Sequence, residues 1–276
     1  MIGIGIGIPF YKAASGFEGV LDLYPNATAA YSVRRLSGAY TGALIRVRRS
    51  SDNAEQDIGF TGTGDLDETA LTAFVGANDG FVVTWYDQSG NANDAIMSTA
   101  ANQPQIVSSG SLLTVNSKPC LSFDGTNDYF NLTSNISTDS SSFNTFVGKR
   151  GASGRRLFGL AGISTFQYLW GLWNDNNYYL QAKTTHYQGS SSTDTTTNQL
   201  LLTGLNNTGT MSMFKNGNTI TSSQIALSYN NNINSLGLYL TSYAYCELQE
   251  IVFYNSEQSA NRSGIESNIN TYYGIY

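Results

Sequence analysis

Thr84-Trp85-Tyr86-Asp87-Gln88-Ser89-Gly90-Asn91-Ala92-Asn93-Asp94-Ala95 is the stretch from which the fold can be read. Before it, Phe81-Val82-Val83-Thr84-Trp85-Tyr86 is β-branched and aromatic, which suits a half-buried strand. In Asp-Gln-Ser-Gly-Asn, Asp, Ser and Asn side chains bond nearby backbone, and Gly accepts positive φ. The chain then returns through Ala95-Ile96-Met97. A polar corner between two apolar runs is the unit of an antiparallel β fold. Pro119-Cys120-Leu121-Ser122-Phe123-Asp124-Gly125-Thr126-Asn127-Asp128-Tyr129-Phe130 repeats the design. Either these corners are turns and nothing more, or they line a shared polar rim.

Working outward, short strands are expected at 81–86, 119–123, 143–148, 156–160, 166–173, 177–183, 199–205, 210–215, 235–240 and 247–254. Asn216-Gly217, between Met211-Ser212-Met213-Phe214-Lys215 and Asn218-Thr219-Ile220, is the strongest local hairpin signal. Many short strands with turns at near-regular spacing indicate an all-β sandwich or jelly roll. Two helices interrupt the pattern. One spans 65–75, capped by Asp65 or Asp67 and stopped at Gly76. The other lies near 257–272, with Ile265, Ile269 and Tyr272 or Tyr273 as its thin apolar stripe.

The 276 residues can bury a sizeable core. Only 12% are charged, against roughly a quarter in an average domain. The net charge of −6 argues against nucleic acid or an anionic membrane as partner. No stretch approaches the ~18 apolar residues of a membrane span, and no ordinary signal peptide opens the chain. Cys120 and Cys246 read as two buried thiols or as an inter-strand disulfide. Arg34, Arg35, Arg46, Arg48 and Arg49 crowd together, but Asp52, Glu55 and Asp57 follow, so a self-neutralised strand pair competes with a site for an acidic sugar.

Residues 1–24 read as an anchoring arm and 25–276 as the folded domain. In the arm, Ile2, Ile4, Ile6 and Ile8 alternate with glycine, so every Ile points to one face of an extended strand. Such a strand suits addition to the edge of a partner's sheet. For sugar contact, Tyr168, Trp170, Trp173, Asp175, Asn177, Tyr178 and His186 combine aromatic platforms with polar groups. Asp87, Asn91, Asn93 and Asp94 are a chemically sensible oxygen set for calcium, the only cofactor considered, with a structural turn as the plain alternative. His186 is the single histidine, so a two-histidine metal site is excluded.

Tyr31-Ser32-Val33-Arg34-Arg35-Leu36, Leu44-Ile45-Arg46-Val47-Arg48-Arg49-Ser50-Ser51-Asp52 and Tyr86-Asp87-Gln88-Ser89-Gly90-Asn91-Ala92-Asn93 together resemble the opening half of the arabinofuranosidase B catalytic domain. Gln103-Pro104-Gln105-Ile106, Leu121 to Tyr129, Lys215-Asn216-Gly217 and Glu247 to Asn255 look like the laminin-G or concanavalin A-like domains of phage tail and bacterial surface proteins. Both resemblances imply a concanavalin A-like jelly roll of two antiparallel sheets. In the arabinofuranosidase the nucleophile is a glutamate closing an aromatic-Asp-Tyr-Gly-Asn type segment. This chain has no such segment, and no glutamate between Glu68 and Glu247. Its carboxylates there are aspartates, among them the turn residues Asp87, Asp94, Asp124, Asp128, Asp139, Asp175 and Asp194. The expectation is therefore a noncatalytic virion protein, a head or tail fibre or decoration module. It would be anchored to other virion proteins by its arm, oligomeric, and turned toward a cell-surface glycan. The alternative is a glycoside hydrolase of the arabinofuranosidase type acting on polysaccharide.

Overall fold

The Tyr245–Tyr254 strand is hydrogen-bonded along both edges. On one edge lie Ala29–Ser32 and then Leu121–Asp124, end to end. On the other lies Ser141–Arg150, followed outward by Leu200–Asn207, Thr210–Lys215 and Asn218–Gln224, all antiparallel. This is a computed structural model, and it describes residues 16–137, 141–151, 157–161, 168–172, 177–182, 196–207, 210–224, 232–239 and 241–276. The Ile2 to Ile8 arm lies outside the described residues.

A second run of antiparallel strands begins with Glu55–Ile58, Ile45–Arg49, Gly80–Trp85, Ala95–Ile96 and Phe130–Ser137. It continues through Asn232–Leu236, Leu157–Ala161, Tyr168–Leu172 and Tyr178–Ala182. Gln105 pairs with both Phe81 and Ser122 and so joins the two runs into one network. The result is the expected all-β sandwich of jelly-roll type. A chain of rings passes from the first run to the second and back: Tyr31 to Trp85 at 5.9 Å, Trp85 to Phe130 within the second at 6.4 Å, and Phe130 to Phe123 at 6.0 Å. All four are fully buried. Each buries enough apolar surface to contribute ~2–3 kcal/mol before ordering costs.

Phe143 to Val147 and Leu248 to Tyr254 are buried without alternation because their strands are covered on both faces. The outer cover is helix α3, Arg262–Tyr273, which buries Ile265, Glu266, Ile269 and Tyr273. Two other helices complete the described fold: α1, Val20–Leu23, and α2, Glu68–Val75. The cap of α2 is Asp67, whose carboxylate accepts from the Ala70 N–H at 2.9 Å, and Gly76 at φ 62° ends the helix. Asn216 and Gly217 both sit at positive φ, as the two-residue hairpin requires.

The packed domain starts earlier than residue 25. Val20 and Leu21 are buried, and the Asp22 carboxylate accepts from the Gly19 and Gly38 N–H groups. Phe130–Ser137 and Gln105–Ser108 were not among the expected strands, the first because its run of Asn, Thr and Ser lacks strand-like composition.

Candidate functional site

The first corner is held by Asp87. One carboxylate oxygen accepts from Ala30 N–H at 2.8 Å and Ser89 N–H at 2.9 Å, the other from Asn93 N–H at 3.0 Å and the Ser89 hydroxyl at 2.7 Å. Gln88 accepts from Leu36 N–H at 2.8 Å and donates to the Arg34 carbonyl at 2.9 Å. Asn91 donates to the Ala27 and Thr28 carbonyls, while the Asn93 side-chain oxygen accepts from Ser134 N–H. Asp94 accepts from Asp87 N–H at 2.9 Å. This corrects the calcium expectation for Asp87, Asn91, Asn93 and Asp94. Both Asp87 oxygens, the Asn93 side-chain oxygen and one Asp94 oxygen are taken by N–H and O–H donors, and the Asn91 amide nitrogen is spent on carbonyls, bonds that stitch the corner to the Ala29–Ser32 strand.

Outside that lock lies a part-exposed rim built from Tyr40, Arg46, Asp57, Tyr86 and Asp94. Arg46 forks onto Asp57 at 2.8 and 3.1 Å, and the Tyr86 hydroxyl donates to the same carboxylate at 2.8 Å. The Arg46 guanidinium holds the Asp57 carboxyl below the usual carboxylate range. Burial, with the Asp87 charge nearby, pushes the Asp94 carboxyl up. Burial and Asp57 also raise the Tyr86 phenol to about 12, so it stays a donor. Tyr40 packs against Phe60 at 6.5 Å, giving the rim an aromatic surface. Two carboxylates shifted in opposite directions, beside aromatic rings, are what acid-assisted chemistry on a sugar requires.

The two corners do not share a rim. The second immediately precedes Phe130, whereas Asn93 of the first bonds Thr133 and Ser134. At about 3.3 Å per residue these points lie ~10–13 Å apart along the strand. In the second corner Asp124 accepts from Thr126 and Asn127 N–H groups, and Asp128 accepts from Asp124 N–H at 2.9 Å. Burial raises the Asp128 carboxyl to about 7.

The arginine cluster is internally satisfied. Arg34 pairs with Glu250, Arg46 with Asp57, and Arg49 with Asp52, while Arg48 donates to Gln103 and Asn53 and Arg35 to the Tyr40 carbonyl. Opposite charge thus meets Arg34, Arg46 and Arg49, whereas Arg35 and Arg48 spend their donors on neutral acceptors. Cys120 and Cys246 are both buried and are not joined in a disulfide. In the expected sugar hairpin, Tyr168 and Trp170 lie on one strand, with Trp170 opposite Leu160 and Leu180. Tyr178 is 3% exposed and belongs to the core, with the Lys215 ammonium near its ring, so it offers no face to a ligand. Asn177 is part-exposed. Trp173, Asp175 and His186 lie outside the described residues.

Residues 22–128, which carry the first corner, its rim and the start of the second corner, match the family model described as alpha-L-arabinofuranosidase B, catalytic. An alpha-L-arabinofuranosidase B of Aspergillus oryzae is 37% identical over 81 residues, covering 27% of this chain and 16% of that protein. Among solved structures, a GH54 α-L-arabinofuranosidase soaked with a cyclic sulfate inhibitor superposes with TM-score 0.69 at 17% identity, covering 88% of this chain and 62% of that one. An arabinofuranosidase complexed with arabinofuranosyl-alpha-1,2-xylobiose gives TM-score 0.69 at 16% identity, with the same coverage. The chain thus spans less than two thirds of the length of these relatives, and the structural likeness is one of fold. These findings overturn the expected virion fibre or decoration module: the family-level similarity is to a glycosidase domain, and it falls on the most specific run of the sequence.

Proposed function

We propose that this chain is a glycoside hydrolase of the arabinofuranosidase type, acting on arabinose-bearing polysaccharide. The observation that carries this reading is the family-model match over 22–128, a segment containing both members of the Asp57–Asp94 rim. Asp94, whose carboxyl burial pushes up, gives a proton to the leaving glycosidic oxygen in this reading. Asp57, kept ionised by Arg46, faces the positive charge that develops at the anomeric carbon. Water completes the reaction, yielding free arabinose and the shortened polysaccharide. Tyr40, Phe60 and Tyr86 supply the apolar surface against which the sugar ring stacks.

The test is release of arabinose from arabinoxylan and of nitrophenol from an aryl α-L-arabinofuranoside, with Asp57→Asn and Asp94→Asn beside the parent chain. Turnover lost in both variants supports the whole reading. Turnover that survives both moves the carboxylates elsewhere in the chain. Absence of turnover by the parent chain, with arabinoxylan binding intact, overturns the hydrolase reading.

A further inference from the structure

A cavity of about 520 Å³ opens between the end of α1 and one face of α3. Leu23, Tyr24, Arg34, Gly264, Asn268 and Thr271 are among the residues that line it, and none of the rim residues around Asp57 and Asp94 does. Gly264, Asn268 and Thr271 fall at i, i+4 and i+7, so they share one stripe of the helix. Glycine is required at 264, because a Cβ there would overlap the Tyr24 hydroxyl that rests against the helix.

Arg34 is the member of the arginine cluster that reaches this cavity. Its charge is met by Glu250, which accepts from Nε at 2.7 Å and from Nη2 at 3.0 Å, and Nη2 also donates to Asn268 Oδ1 at 3.0 Å. Nη1 has no hydrogen-bond partner among the described residues. Nor is it one of the polar atoms sealed from solvent without a partner, so its N–H groups face the cavity. The Asn268 amide nitrogen and the Tyr24 hydroxyl are likewise without a partner among the described residues, and neither is sealed from solvent. The wall therefore presents donors, while the Asn268 oxygen is spent on Arg34 and no carboxylate stands among the described lining residues.

Such a wall calls for a ligand group that only accepts, and a charged donor strengthens the bond. The guanidinium is planar, and Nη1 points away from the edge that Glu250 occupies. A carboxylate on Nη1 sits roughly 4 Å from the guanidinium carbon and roughly 8 Å from the Glu250 carboxylate, so attraction outweighs repulsion about twofold. Leu23, 47% exposed, gives the cavity an apolar lip, and the Ser267 and Thr271 hydroxyls lie beside it. A carboxylate borne on a pyranose ring meets all of these, with acceptors for the donors, an apolar ring face for Leu23 and hydroxyls for Ser267 and Thr271. The volume admits one such ring. We propose that this cavity is a subsite for a uronate unit of a polysaccharide, held by Arg34 Nη1 and Asn268, apart from the rim where cleavage occurs. The choice of a uronate rests on the cavity alone; that it belongs to an arabinose-bearing polysaccharide rests on the hydrolase reading.

The experiment titrates sodium D-glucuronate into the parent chain by saturation-transfer NMR. The neutral methyl ester of D-glucuronic acid and acetyl-triglycine, a peptide carboxylate, are titrated beside it. Arg34 is left in place, since its loss strands Glu250. Asn268→Asp keeps the oxygen that accepts from Arg34 but sets a negative charge where the carboxylate binds, and Thr271→Trp fills the cavity from an exposed position. Glucuronate affinity is expected to fall at least about tenfold in each variant, the size of one lost charge-assisted hydrogen bond. The methyl ester is expected to bind the parent at least about tenfold more weakly than the acid. Aryl α-L-arabinofuranoside turnover, read on the same samples, is expected to be the same in all three chains. Failure of the hydrolase reading shows as a parent without turnover, whereas the glucuronate titration stands without it. No glucuronate signal from the parent, undiminished affinity in either variant, or equal binding of the methyl ester overturns the proposal. Turnover lost together with glucuronate affinity overturns the separation from the rim. Tighter binding of acetyl-triglycine than of glucuronate assigns the cavity to a protein terminus and overturns the uronate subsite.

Discussion

Arg34 and Glu250, 216 residues apart in the chain, form a forked ion pair at 2.7 and 3.0 Å in the interior beneath α3. Their side chains are 7% and 1% exposed. Two charges removed from water are tolerable only when their remaining valences are met. Here Ser32 Oγ donates to Glu250 at 2.9 Å, and the Tyr273 hydroxyl lies 3.2 Å from the same oxygen. Arg34 in turn donates to Asn268 at 3.0 Å and stacks on the Tyr272 ring at 4.6 Å. The pair ties the Ala29–Ser32 edge, the central strand and α3 together.

Removing one partner leaves the other charge buried and unmatched. Glu250→Gln and Arg34→Met are each expected to cost ~3–5 kcal/mol in urea unfolding, whereas the double variant Arg34→Met/Glu250→Leu costs less than either. A double variant as unstable as the sum of the singles would show that the two residues act separately.

Asp87→Ala removes the acceptor for three backbone N–H groups and a hydroxyl at the first corner. A loss of ~3 kcal/mol is expected from donors left unpaired beside a buried strand. Since these bonds occupy the carboxylate, adding a chelator to the parent protein is expected to leave its melting temperature unchanged. A drop of several degrees with chelator, reversed by calcium, would restore the metal reading.

Asp128 gives a pH signature of definite sign. Its folded-state value is raised from an ordinary 3.8 to about 7, so the folded chain holds this proton more tightly than the unfolded one. The stabilisation is full below pH ~4 and is lost as pH rises through about 7. Asp128→Asn keeps an acceptor for Asp124 N–H but cannot ionise. Relative to the parent, this variant is expected to gain stability steadily from pH 4 to 7.5 in chemical unfolding. A flat difference across that range would place Asp128 in water.

At the rim, the rate on the aryl glycoside is expected to be bell-shaped in pH. Asp57, lowered by Arg46, sets the acid limb, and Asp94, raised by burial, sets the alkaline limb. Arg46→Gln is expected to move the acid limb upward and leave the alkaline limb in place. Movement of both limbs together would assign the profile to other groups.

Asp67→Ala is the local control. Loss of the α2 cap is expected to cost ~1 kcal/mol in unfolding without altering turnover. An effect several times larger would mean that Asp67 supports more than its own helix.

Residues close in sequence were legible wherever the physics is local. Asp65 or Asp67 announces a cap, Asn216-Gly217 a two-residue turn, and Ile265, Ile269 and one of Tyr272 and Tyr273 a helix face, because caps, turns and helical spacing involve only near neighbours; the fold selects Asp67 and Tyr273. The Asp-Gln-Ser-Gly-Asn corner was legible in the same way. That its Asp87 caps Ala30, across 57 residues, was not. Tertiary structure alone decided that Asp57 and Asp94 flank one rim, that Glu250 neutralises Arg34, and that Tyr178 faces inward. Each depends on strand pairings between distant segments, and where both faces of a strand are covered, as in Ser141–Arg150, alternation no longer tells which face is which.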